Sequence, residues 1–284
     1  MKKLLVVMLL VAVSAGLCSA DEHIARNGIL SYAGMSVEEY NNFIAEGIAN
    51  NVWEYYLLRN SKYPAYLTNV DGILVNFDSL TEMIMALDVG KVDRIEFARP
   101  VGEYFLRQGN NSDKYVNYVD AKGVNYYLSM GFNEGSKWFE PFNTAIKAMN
   151  DDDTLLFLKA KYVDSAKIDL KPITFETFPD AETVKIAVTG DMPPIDYVAA
   201  DGRAAGFNTA LLAEIAKRLK VNVELVSINA GARADALASG RADGVFWFWY
   251  DRQTKPARDV PQGVALTEPY YTWDTWLYIG KRIH

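Results

Sequence analysis

The sequence predicts an α/β protein built from two similar lobes. Three observations carry that prediction. One helix-turn-strand phrase occurs twice, as Ala86-Leu-Asp-Val-Gly-Lys-Val-Asp93 and as Ala236-Leu-Ala-Ser-Gly-Arg-Ala-Asp243. In both, glycine suits a left-handed helix end, and aspartate can bond its own turn before an apolar strand starts. Secondly, the elements after Thr183 run strand, helix, strand, helix, strand, the order of a mostly parallel sheet with helices on both faces. Thirdly, the 284 residues leave enough chain for one large or two modest domains, each with its own core.

Taken in order, residues 1–20 read as a secretory signal peptide. Lys2 and Lys3 precede an apolar run, and Cys18-Ser19-Ala20 offers a small-residue cleavage site before Asp21. The segment is too short to be a permanent transmembrane helix. Leu17 stands where a lipoprotein site would want a small residue, so cleavage after Ala20 is expected and no membrane insertion afterwards. Gly28–Gly34 reads as a short strand and turn. Ser36-Val-Glu-Glu39 is a capping box opening a helix with Tyr40, Phe43, Ile44, Ile48 and Trp53 on one face.

Ile73–Phe77 is a strand. Ser79-Leu-Thr-Glu82 is a second capping box, and Leu80, Met83, Ile84 and Leu87 are the buried face of its helix. Val92–Phe97 is a strand, Pro100–Leu106 a helix with proline in its first turn, and Tyr115–Val119 and Tyr126–Met130 are strands. A helical section runs from Lys137 to about Tyr162 with Phe139, Phe142, Ile146 and Met149 on its apolar face. Asp151–Asp153 interrupt it and start a second helix. A calcium loop there would need regularly spaced oxygen ligands and a glycine, which are missing.

Ser165–Glu182 is a linker with Pro172 and Pro179. Val184–Val188 is a strand, followed by the loop 189–197. Asn208 caps a helix carrying Leu211, Leu212, Ile215 and Leu219. Val221–Val226 is a strand, Ala232–Ala238 a helix, and Thr272–Ile279 an aromatic strand.

Composition narrows the chemistry. The formal net charge is −7, and more negative once Lys2 and Lys3 are removed, which argues against nucleic acid as a partner. Cys18 falls in the leader, so disulfide and thiol chemistry drop out of the mature chain. The two histidines, His23 and His284, sit at the ends, which disfavours a serine or cysteine hydrolase and a histidine-ligated metal. No catalytic residue, metal or cofactor is expected.

The residues from Thr183 to Tyr271 resemble the first lobe of the extracellular solute-binding proteins of family 3, which serve polar amino acid uptake through ABC transporters. The likeness rests on Val184–Val188, Pro193-Pro194-Ile-Asp-Tyr197, Gly206-Phe207-Asn208, the Ala-Leu-x-x-Gly-Arg-x-Asp turn and Thr267-Glu-Pro-Tyr-Tyr271. Residues 29–162 look like the remainder of that family. Phe77–Phe97 is similar to its second lobe and Tyr126–Tyr162 to the segment returning to the first. The resemblance implies a type II periplasmic-binding-protein-like fold with the lobes in circularly permuted order, a fragment of a tandem array being the alternative.

Its domains would be a signal peptide (1–20), a second-lobe-like domain (21–124), a first-lobe-like domain (125–271, linker 165–182) and a crossing strand (272–284). Ligand would sit between lobes that close about hinges near Asp120–Tyr126 and Tyr271–Ile279. The implied protein is an exported monomer, periplasmic or extracellular, delivering its ligand to an ABC-transporter permease.

Open parallel sheets bind ligands beyond their strand carboxyl ends, which puts the 189–197 loop and Trp247–Arg252 at one site. Asp191, Asp196, Tyr197, Trp247, Trp249, Tyr250 and Arg252 are therefore candidates, with Tyr250 foremost and Phe246 and Phe248 assigned to the core. The family takes a ligand carboxylate with small hydroxyl residues and an arginine after this strand. Here the hydroxyls are absent and Arg252 is the stand-in. The family's amino-group aspartate falls by count on Ala98, which leaves Glu96 and Arg99 as neighbouring candidates.

Aromatic rings that sandwich a flat or cationic solute would replace the missing charges. Two other functions compete: an elimination enzyme similar to the cyclohexadienyl dehydratases, with Glu96 as its acid, and a sensor or assembly partner that has lost its ligand.

Overall fold

The computed structural model describes residues 25–31, 33–34, 38, 56–59, 73–165, 167–168, 170–199, 201–252 and 259–283. The signal-peptide reading and the helix opened at Ser36 lie outside these residues.

The chain begins with β1 (Arg26–Leu30), β2 (Tyr56–Arg59), β3 (Ile73–Phe77), α1 (Leu80–Asp88), β4 (Arg94–Ala98), α2 (Arg99–Arg107), α3 (Asn111–Lys114) and β5 (Tyr115–Asn133). It continues through α4 (Phe139–Asp151), α5 (Thr154–Tyr162), β6 (Thr183–Val188), β7 (Asp191–Met192), β8 (Asp196–Val198), β9 (Ala204–Ala205), α6 (Gly206–Leu219) and β10 (Asn222–Ser227). A single 3-10 turn at Ala230–Ala232 leads into α7 (Arg233–Ala238), then β11 (Gly244–Asp251), β12 (Val264–Leu266) and β13 (Tyr271–Lys281).

The strand order is β10-β6-β11-β5-β13-β4-β1-β3. At each end lies a parallel trio: β10-β6-β11 on one side, β3-β1-β4 on the other. In both trios the first strand in the chain is central, the second lies outside it and the third inside. Between them run two long antiparallel strands, β5 and β13. The second part of β5 pairs with β11 through residues 126–132, and β13 pairs with β4 through residues 276–280. Each long strand therefore belongs to both halves. The register between them slips where Trp273 faces Tyr126 and Thr275 faces Lys122.

The repeated phrase occupies the same place in both halves, the turn into the third strand. Gly90 and Gly240 have φ of 75° and 69°, the left-handed region that glycine enters without a Cβ clash. Their amides donate to Leu87 O and Leu237 O at 3.1 and 3.0 Å. Asp93 Oδ2 accepts from Arg26 N on β1 at 2.8 Å, and Asp243 Oδ2 from Lys185 N on β6 at 2.8 Å. Each aspartate thus clips its turn to the central strand of its own trio.

Packing follows the apolar spacing. Ser79 caps α1 by accepting from Glu82 N at 3.2 Å, and Leu80, Met83, Ala86 and Leu87 are buried. Helix α4 buries Phe142, Ala145, Ile146 and Met149, and α6 buries Leu211, Leu212 and Ile215. Each leucine, isoleucine, methionine or phenylalanine among them contributes about 1.5–3 kcal/mol by leaving water, and each alanine less.

Some boundaries differ from expectation. Residues 115–133 form one strand rather than two. Helix α6 starts at Gly206, so Asn208 is inside it and not its cap. The first-turn amides of Phe207 and Asn208 donate instead to Pro194 O at 3.0 Å and Ile195 O at 2.7 Å, which makes a side-chain cap unnecessary. The described residues of 165–182 hold no helix or strand, but they are tied down: Ile173 N donates to Ala204 O, and Asn222 bonds both Phe178 and Ala181.

Candidate functional site

The carboxyl ends of both trios converge on one cavity of about 80 Å³. Ile29, Leu30 and Ser31 enter from β1, and Glu96 and Ala98 from β4. Thr189 follows β6, and Ala230 and Arg233 follow β10. Met192 closes one side. Four tryptophans complete the wall: Trp247 and Trp249 from β11, Trp273 and Trp276 from β13.

Trp247 enters the cavity from an irregular stretch of β11. Its pairing with β5 slips between Val245 and Phe248, a β-bulge, and Trp247 has φ of 70°. A non-glycine residue held there costs on the order of 1–3 kcal/mol and persists only where its surroundings over-determine it. The bulge breaks side-chain alternation. Phe246 packs with Phe207 and Tyr270, whereas Phe248 joins Ala187, Ile228 and Leu237 in a separate cluster. Both phenylalanines are core residues, and Trp247 is turned into the cavity between them.

Asp196 holds Trp247 in place. Its Oδ2 accepts the Trp247 indole N–H at 3.0 Å, and also Thr189 N at 3.1 Å and Thr189 Oγ1 at 3.3 Å. Burial pushes its carboxyl up to about 6, against the lowering effect of these donors.

The other rings stand at steep angles. Trp276 meets Trp273 at 78° and 5.4 Å between centroids, and Trp249 at 67° and 5.7 Å. Tyr126 stacks on Trp273 at 27° and stands edge-on to Trp249 and Trp276. Three ring planes therefore meet as the corner of a box.

Arg233 is the buried cation of the wall. Its Nη1 and Nη2 each donate to Asp259 at 2.8 Å, a bidentate pair. Nε donates to Ala230 O at 2.8 Å, Nη2 to Ser31 O at 2.9 Å, and Nη1 to Trp247 O. All five guanidinium N–H groups are thereby engaged by protein acceptors. Asp259 also accepts from Ala33 N at 2.8 Å and Trp249 N at 3.2 Å. This pair joins the two halves across the cavity. Leu80 N donating to Asp191 Oδ2 at 2.8 Å and Ala230 N donating to Asp78 O at 3.1 Å do the same nearby.

Of the candidates read from the sequence, the structure brings Glu96, Trp247 and Trp249 together on the cavity wall. Asp191 and Asp196 stand behind the wall, one bridging to α1 and the other holding Trp247. Tyr197 lies on β8, paired with Asp191 and Ala205. Tyr250 stacks on Tyr127 at 5.4 Å, and the Arg252 guanidinium lies 4.6 Å from the Tyr127 centroid, so both are engaged away from the cavity. Arg99 faces a different cleft and pairs with Glu103 at 3.3 Å and Asp120 at 3.8 Å.

Ser31, Thr189, Arg233, Asp259, Trp273 and Trp276 were not candidates. The Thr272–Ile279 aromatic strand was the signal that pointed toward the last two. Among the described residues, no helix is long and apolar enough to cross a membrane, and no cluster of three or more His, Cys, Asp or Glu is placed to hold a metal.

Two parallel trios joined by crossing strands, with their carboxyl ends on a shared cavity, define the periplasmic-binding-protein-like class of α/β fold. Residues 184–281 match the family model of the bacterial extracellular solute-binding proteins, family 3, so the likeness read from the motifs is borne out over that stretch. No curated protein matches the chain.

Among solved structures it is similar to a ligand-binding component of an ABC-type import system from Staphylococcus aureus, with a TM-score of 0.43 and 12% identity, over 92% of this chain and 66% of that one. It is also similar to the aliphatic sulphonate binding protein SsuA from Escherichia coli, with a TM-score of 0.36 and 10% identity, over 92% and 62%. A third is an ABC-transporter periplasmic substrate-binding protein from Coxiella burnetii, with a TM-score of 0.39 and 15% identity, over 91% and 84%. The chain spans less than two thirds of the length of the first two.

Proposed function

We propose that this protein is an exported solute-binding protein that captures a small aromatic or nitrogen-containing molecule between its two halves, for uptake by an ABC transporter. The observation that carries the reading is the tryptophan-walled cavity at the carboxyl ends of both trios. Binding there contacts both halves at once, so a solute favours the form in which Arg233, Asp259 and Asp191 bridge them.

In this reading the lobes are residues 21–124 and 125–271, with 272–284 crossing back, and their order is circularly permuted. The family-matching stretch 184–281 follows the β1-β3-β4 half in the chain, yet its last strand pairs with β4 of that half. Delivery to a permease, a periplasmic or extracellular location and a monomeric state belong to the same proposal.

The test is thermal unfolding of the whole chain against a panel of amino acids, amines, quaternary ammonium ions and aromatic acids. A solute at 100 times its dissociation constant adds about 2.7 kcal/mol and raises the midpoint visibly. No shift with any panel member, from a protein that unfolds cooperatively, would overturn solute capture.

A further inference from the structure

We infer that the solute is a small cation of the quaternary or tertiary ammonium class, taken by the aromatic box through its methylated head and bearing no carboxylate of its own. This rests on the solute-capture reading above and names the ligand of that same cavity.

An amino acid needs donors for its carboxylate, and Arg233 is the cation best placed to supply them. All five of its N–H groups already donate to protein oxygens, two of them to Asp259. A ligand carboxylate would have to displace Asp259, a buried group that also holds Ala33 N and Trp249 N.

The smaller donors are committed as well, except the buried Trp273 indole N–H, which has no protein acceptor. Thr189 Oγ1 and the Trp247 indole N–H both donate to Asp196, and Ser31 Oγ donates to Asp78 Oδ1 at 2.9 Å. A negatively charged group would find one neutral N–H and no free cation in this space, and burying a charge so poorly paired is costly.

What the wall does offer is ring surface. The planes of Trp249, Trp276 and the stacked Trp273–Tyr126 pair meet at 67–78°, a corner rather than a slot. A flat aromatic ligand prefers parallel faces 3–4 Å away, whereas a rounded methylated ammonium touches walls that meet at right angles. Cations bind over ring faces within about 6 Å of the centroid, tryptophan being the strongest partner. Glu96 faces the same space from β4.

Methylation matters because an ammonium bearing several N–H groups needs as many acceptors to leave water, and this wall is mostly indole and aliphatic carbon.

The experiment is calorimetric titration of the whole chain with tetramethylammonium, choline, the neutral choline isostere 3,3-dimethylbutan-1-ol, and a set of α-amino acids. The inference expects choline to bind at least tenfold more tightly than its neutral isostere. It expects Trp276→Leu to remove that preference while Trp276→Phe keeps most of it, with Glu96→Gln weakening choline severalfold. Far-ultraviolet circular dichroism and cooperative unfolding verify that the variants fold.

Equal binding of choline and 3,3-dimethylbutan-1-ol would overturn the inference in favour of a merely apolar pocket. So would binding of an α-amino acid with none of the ammonium ions, which leaves solute capture standing. A cooperative protein that stabilises with no solute of any class removes both.

Discussion

The two halves of this protein use the same turn and diverge one strand later. In the first, Asp93 leads into β4, a regular five-residue strand whose Phe97 is fully buried. In the second, Asp243 leads into β11, where the residue at the corresponding place is Trp247, swung into the cavity by a bulge and a left-handed backbone. The preceding helices show the same divergence. Counting back from Ala86-Leu87 and Ala236-Leu237, Met83 corresponds to Arg233. Met83 fills the core, while Arg233 is a buried cation gripping both halves. Turn and pairing make the scaffold, and departures from it on one side make the site.

The comparison is broken most severely at Arg233. Arg233→Met gives the second half the residue of the first and should lower stability by about 3–5 kcal/mol in chemical denaturation, because Asp259 is left buried without its partner. Adding Asp259→Leu should recover much of that loss. If the single variant proves as stable as the parent, the buried pair is not what joins the halves.

Asp196, which holds Trp247 in the second half, should make stability depend on pH. Folding raises its carboxyl from the usual range to about 6 through burial. The proton is bound more tightly in the folded state, so the linked stabilisation is fully present below about pH 4 and lost as pH rises through about 6. Its size is on the order of 3 kcal/mol across that window. Asp196→Asn should flatten the curve between pH 4 and 7 in urea titrations, and an unchanged slope would contradict the assignment.

The smallest effects test the likeness itself. Gly90→Ala and Gly240→Ala meet no atom within 4 Å, so each pays only for the left-handed backbone, roughly 1–2 kcal/mol. The two losses should agree within about 0.5 kcal/mol. A large difference would show that the turns are alike in letters and not in structure.

These contrasts also mark what the sequence made legible. Periodicity located α1, α4 and the two glycine turns because each depends on neighbours a few residues away. The family motifs located β6, α6 and the loop holding Asp196 for the same local reason. Alternation along 246–250 placed Phe246 and Phe248 in the core, as found, but gave no sign of the bulge at Trp247, which leaves no mark in composition. Tyr250 was favoured for its place at the strand end and Arg252 as the stand-in for the family's arginine, and the structure engages both with Tyr127.

Arg233 reads in the sequence as an ordinary helix arginine. Its role depends on Asp259, 26 residues on, and on Ser31, 202 residues back. Trp273 and Trp276 reach the cavity because β13 crosses between the trios, a property of topology that no local pattern carries.

The most direct measurement is a titration followed by tryptophan fluorescence, using whichever solute raises the unfolding midpoint, on the parent chain and on Trp247→Ala. Capture between the halves predicts a saturable emission change in the parent, at the same concentrations as the midpoint shift, and loss of both in the variant while it still folds cooperatively. An undiminished midpoint shift in Trp247→Ala would place the solute elsewhere and contradict the assignment of this cavity as the binding site.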